Sequence, residues 1–190
     1  MRNKYRVMLV MACLVRLCSG QTDTGRAQQL LQEIKTGTNI GDPLKELTLL
    51  AQSNPDVKAY LANQLPTAIS NKQNSSVWRA EVELVGDLQL VVAIPQLVKL
   101  LIVDSEDLSP TGAYRSMALA NNPPARALIS IGNPAVPAVA ALLQSEDKTT
   151  RSRAIRVLIN INTSDARSAL SNHAATEKDP SLQRLIQRHS

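Results

Sequence analysis

The chain has 190 residues, with 21 Lys and Arg against 16 Asp and Glu, and few aromatic side chains: no Phe, one Trp and three Tyr. Arg2, Lys4, Arg6 and Arg16 carry most of the formal charge of +5, and residues 21–190 hold 17 basic against 16 acidic side chains. So balanced a chain, with no aromatics between its cations to stack bases, argues against nucleic acid as a partner. Cys13 and Cys18 both precede residue 21, so the rest has no disulfide, thiol nucleophile or thiolate metal ligand.

Residues 1–20 have the layout of a secretory signal: a basic start, an apolar run over Val7–Val15 and small residues at 18–20. The run is shorter than the roughly 20 apolar residues of a membrane span. The expectation is an exported protein, periplasmic or extracellular, with no transmembrane span in the mature chain. A second reading takes 10–13 as a lipoprotein box with Cys13 lipidated.

After the signal, the spacing of Leu30, Leu31 and Ile34 predicts a helix over 25–37, stopped at Gly37. A helix over 42–52 is expected to open with Asp42 as cap and Pro43 as first helical residue, and one over 54–65 repeats that start. Residues 71–76 read as a polar linker. Together 21–76 read as divergent N-terminal helices that cap the remainder of the chain.

Beyond residue 76 the chain repeats itself. "AIPQLVKLL" (93–101) superimposes without a gap on "AVPAVAALL" (135–143), Pro95 on Pro137 and Leu101 on Leu143. Proline is tolerated in the first turn of a helix, where its missing amide has no intrahelical acceptor. Pro95 and Pro137 therefore read as structural starts of equivalent second helices. "ARALISIG" (125–132) and "AEVELVGDLQ" (80–89) precede these copies, while "RSRAIRVLINI" (151–161), the turn "NTSD" and "ARSALSNHAA" (166–175) form a third. Helix, tight turn, helix, three times over, predicts an all-α fold: an α-solenoid of stacked antiparallel helix pairs. Residues 102–123 read as an insertion, with a loop at 104–110 and an extra helix at 111–121, and the chain ends in a capping helix.

"ALISIGNPAVPAVAALL" (127–143) and "DKTTRSRAIRVLINI" (147–161) resemble HEAT-like repeats of the short, phycobilisome-lyase type. Thr150 stands where that pattern has Val. The resemblance implies that Arg151 reaches a turn acceptor in the adjacent repeat and that Asp165 is the turn aspartate, both structural roles. It also implies protein binding, with a bilin-lyase accessory subunit as an alternative, and second helices that line a concave side.

No catalytic motif, metal cluster or phosphate loop is present in the sequence, so the expectation is a non-enzymatic chain with no cofactor and no metal. His173 aligns with Leu142, a position facing neighbouring helices, and reads as structural. Asp104, Glu106 and Asp107 read as a solvated loop; Asn74 and Asn162 open formal glycosylation acceptors. The candidate partner-binding residues are Gln96 and Lys99, the aligned Ala138 and Ala141, then Asn172, with Arg153 and Arg156 on the outer face of helix 148–161. A row of small and polar side chains suits a helical or extended segment of another protein in a shallow concave groove. Residues 21–147 hold 9 basic and 13 acidic side chains and 148–190 hold 8 and 3, which leaves self-association through opposite charges as an alternative.

Overall fold

A computed structural model of the chain describes residues 22–70, 75–103, 119 and 122–189. Among these, ten α-helices succeed one another: α1 (Asp23–Thr36), α2 (Gly41–Ser53), α3 (Pro55–Ala68), α4 (Ser75–Asp87), α5 (Ile94–Val103), α6 (Pro123–Ile131), α7 (Val136–Ala141), α8 (Lys148–Ile161), α9 (Ser164–Ala174) and α10 (Pro180–Gln187). Turns of 3-10 helix lead into α5 (Val91–Ala93) and α7 (Asn133–Ala135), and another extends α7 (Leu142–Gln144). The signal-like segment, the 104–110 loop and, apart from Leu119, the expected helix 111–121 lie outside the described residues. No strand occurs among the described residues, and no single helix there is long and apolar enough to cross a membrane.

Local chemistry sets most helix ends. The first amides of a helix lack intrahelical acceptors, and a short polar side chain at the cap supplies one. Thr22 accepts from Gly25 N at 3.1 Å, Asn54 from Asp56 N at 2.9 Å, Asn122 from Ala125 N at 2.8 Å and Asp147 from Thr150 N at 2.8 Å. Gly37 (φ 72°) and Asn162 (φ 52°) close α1 and α8 in the left-handed conformation. Several boundaries differ from the sequence reading. Ser75 and Ser76, expected in the linker, open α4, while Ile102 and Val103 still belong to α5 and Pro123 opens α6, so these three positions of the expected 102–123 insertion are part of the flanking helices. Asp42 is not a cap: a backbone bond from Leu44 N to Ile40 O (3.0 Å) starts α2 at Gly41, and Asp42 lies in its first turn. The helix expected to end at Leu65 runs through Pro66 to Ala68, because buried Leu65 and Ile69 hold its last turn against the core.

From α4 onward, first and second helices alternate along the chain, and like packs on like. The first helices form one row of contacts, α4 on α6 and α6 on α8; the second helices form another, α5 on α7 and α7 on α9. Between Pro123–Ile131 and Asn133–Gln144 the chain bends by 114°. Gly132 makes the turn, with φ 77° and ψ −136°, a conformation that a Cβ disfavours. The closest approach is between α4 and α6, where a Cβ on Gly86 would stand 2.9 Å from Ala127 Cα. At the C-terminal end α10 lies against α8 and α9; at the other end α1, α2 and α3 pack on one another and on α4. One aliphatic core runs through these contacts, including Leu30, Leu61, Leu84, Leu97, Leu128, Ile155 and Leu170. Trp78 is buried in it, and its indole donates to Ile69 O at 2.9 Å, joining α4 to the end of α3.

Candidate functional site

The aligned second helices bring their outward residues into register. Pro95 and Pro137 both occupy the second position of their helices, above the buried Ala93 and Ala135. The next residues, Gln96 and Ala138, and the aligned Ala169 are half-buried, while one turn on Lys99, Ala141 and Asn172 are exposed. α5 touches α7 and α7 touches α9, so these equivalent positions lie on neighbouring helices.

The basic residues of α8 are used differently from one another. Arg151 turns toward the C-terminal end: its Nε and Nη2 donate to Glu177 at 3.0 and 3.1 Å, and its Nη1 donates to Ser145 O and Glu146 O, each at 2.9 Å. Glu177 also accepts from Asp179 N at 2.9 Å and lies 2.9 Å from His173 Nε2. Burial alone would push the Glu177 carboxyl up, but the Arg151 guanidinium, the Asp179 amide and His173 together hold it at about 2. Beside this cluster Lys148 pairs with Asp179, which caps α10 and binds Ser181, and whose carboxyl is held well below its ordinary range chiefly by Lys148. His173 is buried, and its contact with Glu177 lets the imidazole brace the turn before α10.

Arg153 does not project into solvent. Its Nη1 donates to Leu101 O at 2.7 Å and Ile102 O at 3.1 Å, neutralising carbonyls at the last turn of α5, and its Nη2 is buried without an acceptor among the described residues. The favourable pairing of a cation with the carbonyl end of a helix explains the orientation. Arg156 is half-buried on the same helix. Asp165 accepts from Asn133 Nδ2 at 2.9 Å, while Thr163 Oγ1 donates to Asn133 Oδ1 at 2.7 Å, so the turn before α7 is tied to the turn before α9. The sequence reading singled out Arg151 and Asp165 but not their partners Glu177 and Asn133. Those partners lie 26 and 32 residues away, and nothing in local spacing marks them.

A polar cleft of about 130 Å³ opens between α4 and α6, lined by Arg79, Glu83, Asp87, Arg126 and Ser130. It is smaller than the several hundred Å³ usual for small-molecule sites. Among the described residues no group of three or more His, Cys, Asp or Glu is placed to hold a metal ion.

Residues 124–188 match the family model for HEAT repeats. This stretch is HEAT-like. It covers α6 to α10, so the α4–α5 pair, which carries the sequence copy of α6–α7, precedes the matched repeats. No curated protein and no solved structure matches the chain.

Proposed function

We propose that the chain is an exported, non-enzymatic protein-binding module: an adaptor, scaffold or assembly factor. In this reading the helix pairs from α4 to α9 are short HEAT repeats of the lyase type, stacked antiparallel into a superhelix whose second helices line a shallow groove. HEAT repeats generally mediate protein–protein interaction, which supports binding of a protein partner. The observation that carries the proposal is the register of Lys99, Ala141 and Asn172, exposed at equivalent positions of three successive second helices. A continuous row of small and polar side chains fits an elongated polypeptide segment along the stack. The signal-like layout of residues 1–20 supports export.

A photoreactive amino acid placed at Ala141 or Asn172 tests this, with Asn160 on the outer side of α8 as control. Cross-linking of one protein in the source organism from both groove positions, and not from Asn160, is expected. Equal labelling from all three positions, or none, removes the groove.

A further inference from the structure

Few large apolar side chains are exposed among the described residues: Leu49 on α2, and Val91, Val92 and Ile102 on α5 and its lead-in turn. Three of the four therefore share one short element. Residues three apart in a 3-10 turn, and three or four apart in an α-helix, lie on the same side. Val92, Pro95, Lys99 and Ile102 succeed one another at intervals of three, four and three, and all four are exposed. The core stripe of the helix is separate, consisting of Ala93, Ile94, Leu97 and Leu101. The helix thus has a second, outward stripe with the spacing of a coiled-coil seam, in which apolar knobs enter the holes of a facing helix.

Two features decide what fits it. Val92 is 60 % and Ile102 is 44 % exposed, at either end of about 15 Å of helix. Between them Lys99 forms no ion pair or side-chain hydrogen bond among the described residues. Covering this stripe with purely apolar surface would strand the ammonium without water or counter-charge, which is costly. An occupant must bring a carboxylate to the centre and apolar side chains about one to two turns to either side. Arg153 holds the last turn of α5 through Leu101 O and Ile102 O, so the stripe is presented on a helix already fixed.

We infer that the Val92–Pro95–Lys99–Ile102 stripe docks an amphipathic α-helix of a partner protein, with apolar residues on Val92 and Ile102 and an Asp or Glu on Lys99. This rests on the protein-binding reading and narrows it to one helix and one occupant chemistry.

The test uses two synthetic helical peptides with Leu at the seam positions, one with Glu and its twin with Lys at the central one. Binding to the full chain is read by fluorescence anisotropy. The Glu peptide is expected to bind about tenfold more tightly than its twin, Lys99→Glu to reverse that order, and Ile102→Ser to weaken both. Circular dichroism checks that both variants stay helical. Equal binding of the two peptides, an order unchanged by Lys99→Glu, or no binding of either overturns the inference. So does a dimer in sedimentation that Ile102→Ser dissolves, because the stripe then belongs to a second copy. Cross-linking from Ala141 and Asn172 without peptide discrimination removes this stripe and leaves the wider groove; failure of both removes both.

Discussion

Arg151 and Glu177 form a two-pronged ion pair at 3.0 and 3.1 Å, with the Glu177 side chain wholly buried and the Arg151 side chain 14 % exposed. The pair joins the first turn of α8 to the turn before α10, so it fastens the last helix to α8. Removing one member leaves the other charge buried and uncompensated, a loss of about 3–5 kcal/mol in comparable pairs. Arg151→Met and Glu177→Gln should both lower the urea midpoint, and the double variant should lose less than the sum of the two. A double-mutant cycle measures the coupling.

The same pair sets an acid limit. The Glu177 carboxyl is held at about 2 in the folded chain, against an ordinary glutamate value of 4.5. Its contribution is therefore complete above about 4.5 and is lost as the pH falls toward 2. Asp179 and Asp147 are also lowered, so they act in the same direction. Stability measured from pH 6 down to pH 2 should fall steadily across this window, and less steeply in Glu177→Gln.

Glu81 works the other way. It is buried on α4, and desolvation raises its carboxyl above the ordinary value while Lys35 partly offsets this. A raised acid disfavours the folded state once ionised, so Glu81→Gln should stabilise the chain at pH 7. The gain should shrink on acidification, as Glu81 becomes protonated in the folded chain. Each kcal/mol recovered corresponds to about 2–4 °C in Tm for a chain of this size.

Substitutions at Gly86 and Gly132 should fail for opposite reasons. At Gly86 a methyl group meets Ala127 Cα at 2.9 Å, so Ala overpacks the α4–α6 contact at about 1–3 kcal/mol, more than its helix propensity of about 1 kcal/mol returns. At Gly132 there is open space but φ is 77°, so Ala costs about 1–3 kcal/mol in backbone strain alone. Leu in place of Ala should greatly worsen the loss at 86 and barely change it at 132. The fluorescence of Trp78, the single tryptophan, reports unfolding in each variant.

Arg153→Met should release the carbonyls of Leu101 and Ile102. Hydrogen bonds to a charged donor contribute about 1.5–3 kcal/mol. Faster amide hydrogen exchange confined to the last turn of α5 is the expected sign; unchanged exchange there would show that the carbonyls are satisfied without it.

Helices, caps and the proline-led second helices were legible in the sequence because each depends on residues within one turn of itself. Asn54 before Pro55 caps α3, Pro95 and Pro137 open equivalent helices, and Leu30, Leu31 and Ile34 face the core as their spacing requires. The same pattern marks Lys99, Ala141 and Asn172 as outward positions. What the sequence could not separate was the fate of individual charges. Arg153 and Lys99 both occupy outer positions of helices, yet Arg153 reaches carbonyls 52 and 51 residues away while Lys99 pairs with no carboxylate among the described residues. Arg151 meets Glu177 only because α10 folds back on α8, and Gly86 matters only because α6 crosses α4 at that point. Periodicity records which way a side chain leaves its own helix. Which groups stand opposite it is decided by packing between helices distant in the chain, and there the tertiary structure alone assigns each charge its partner.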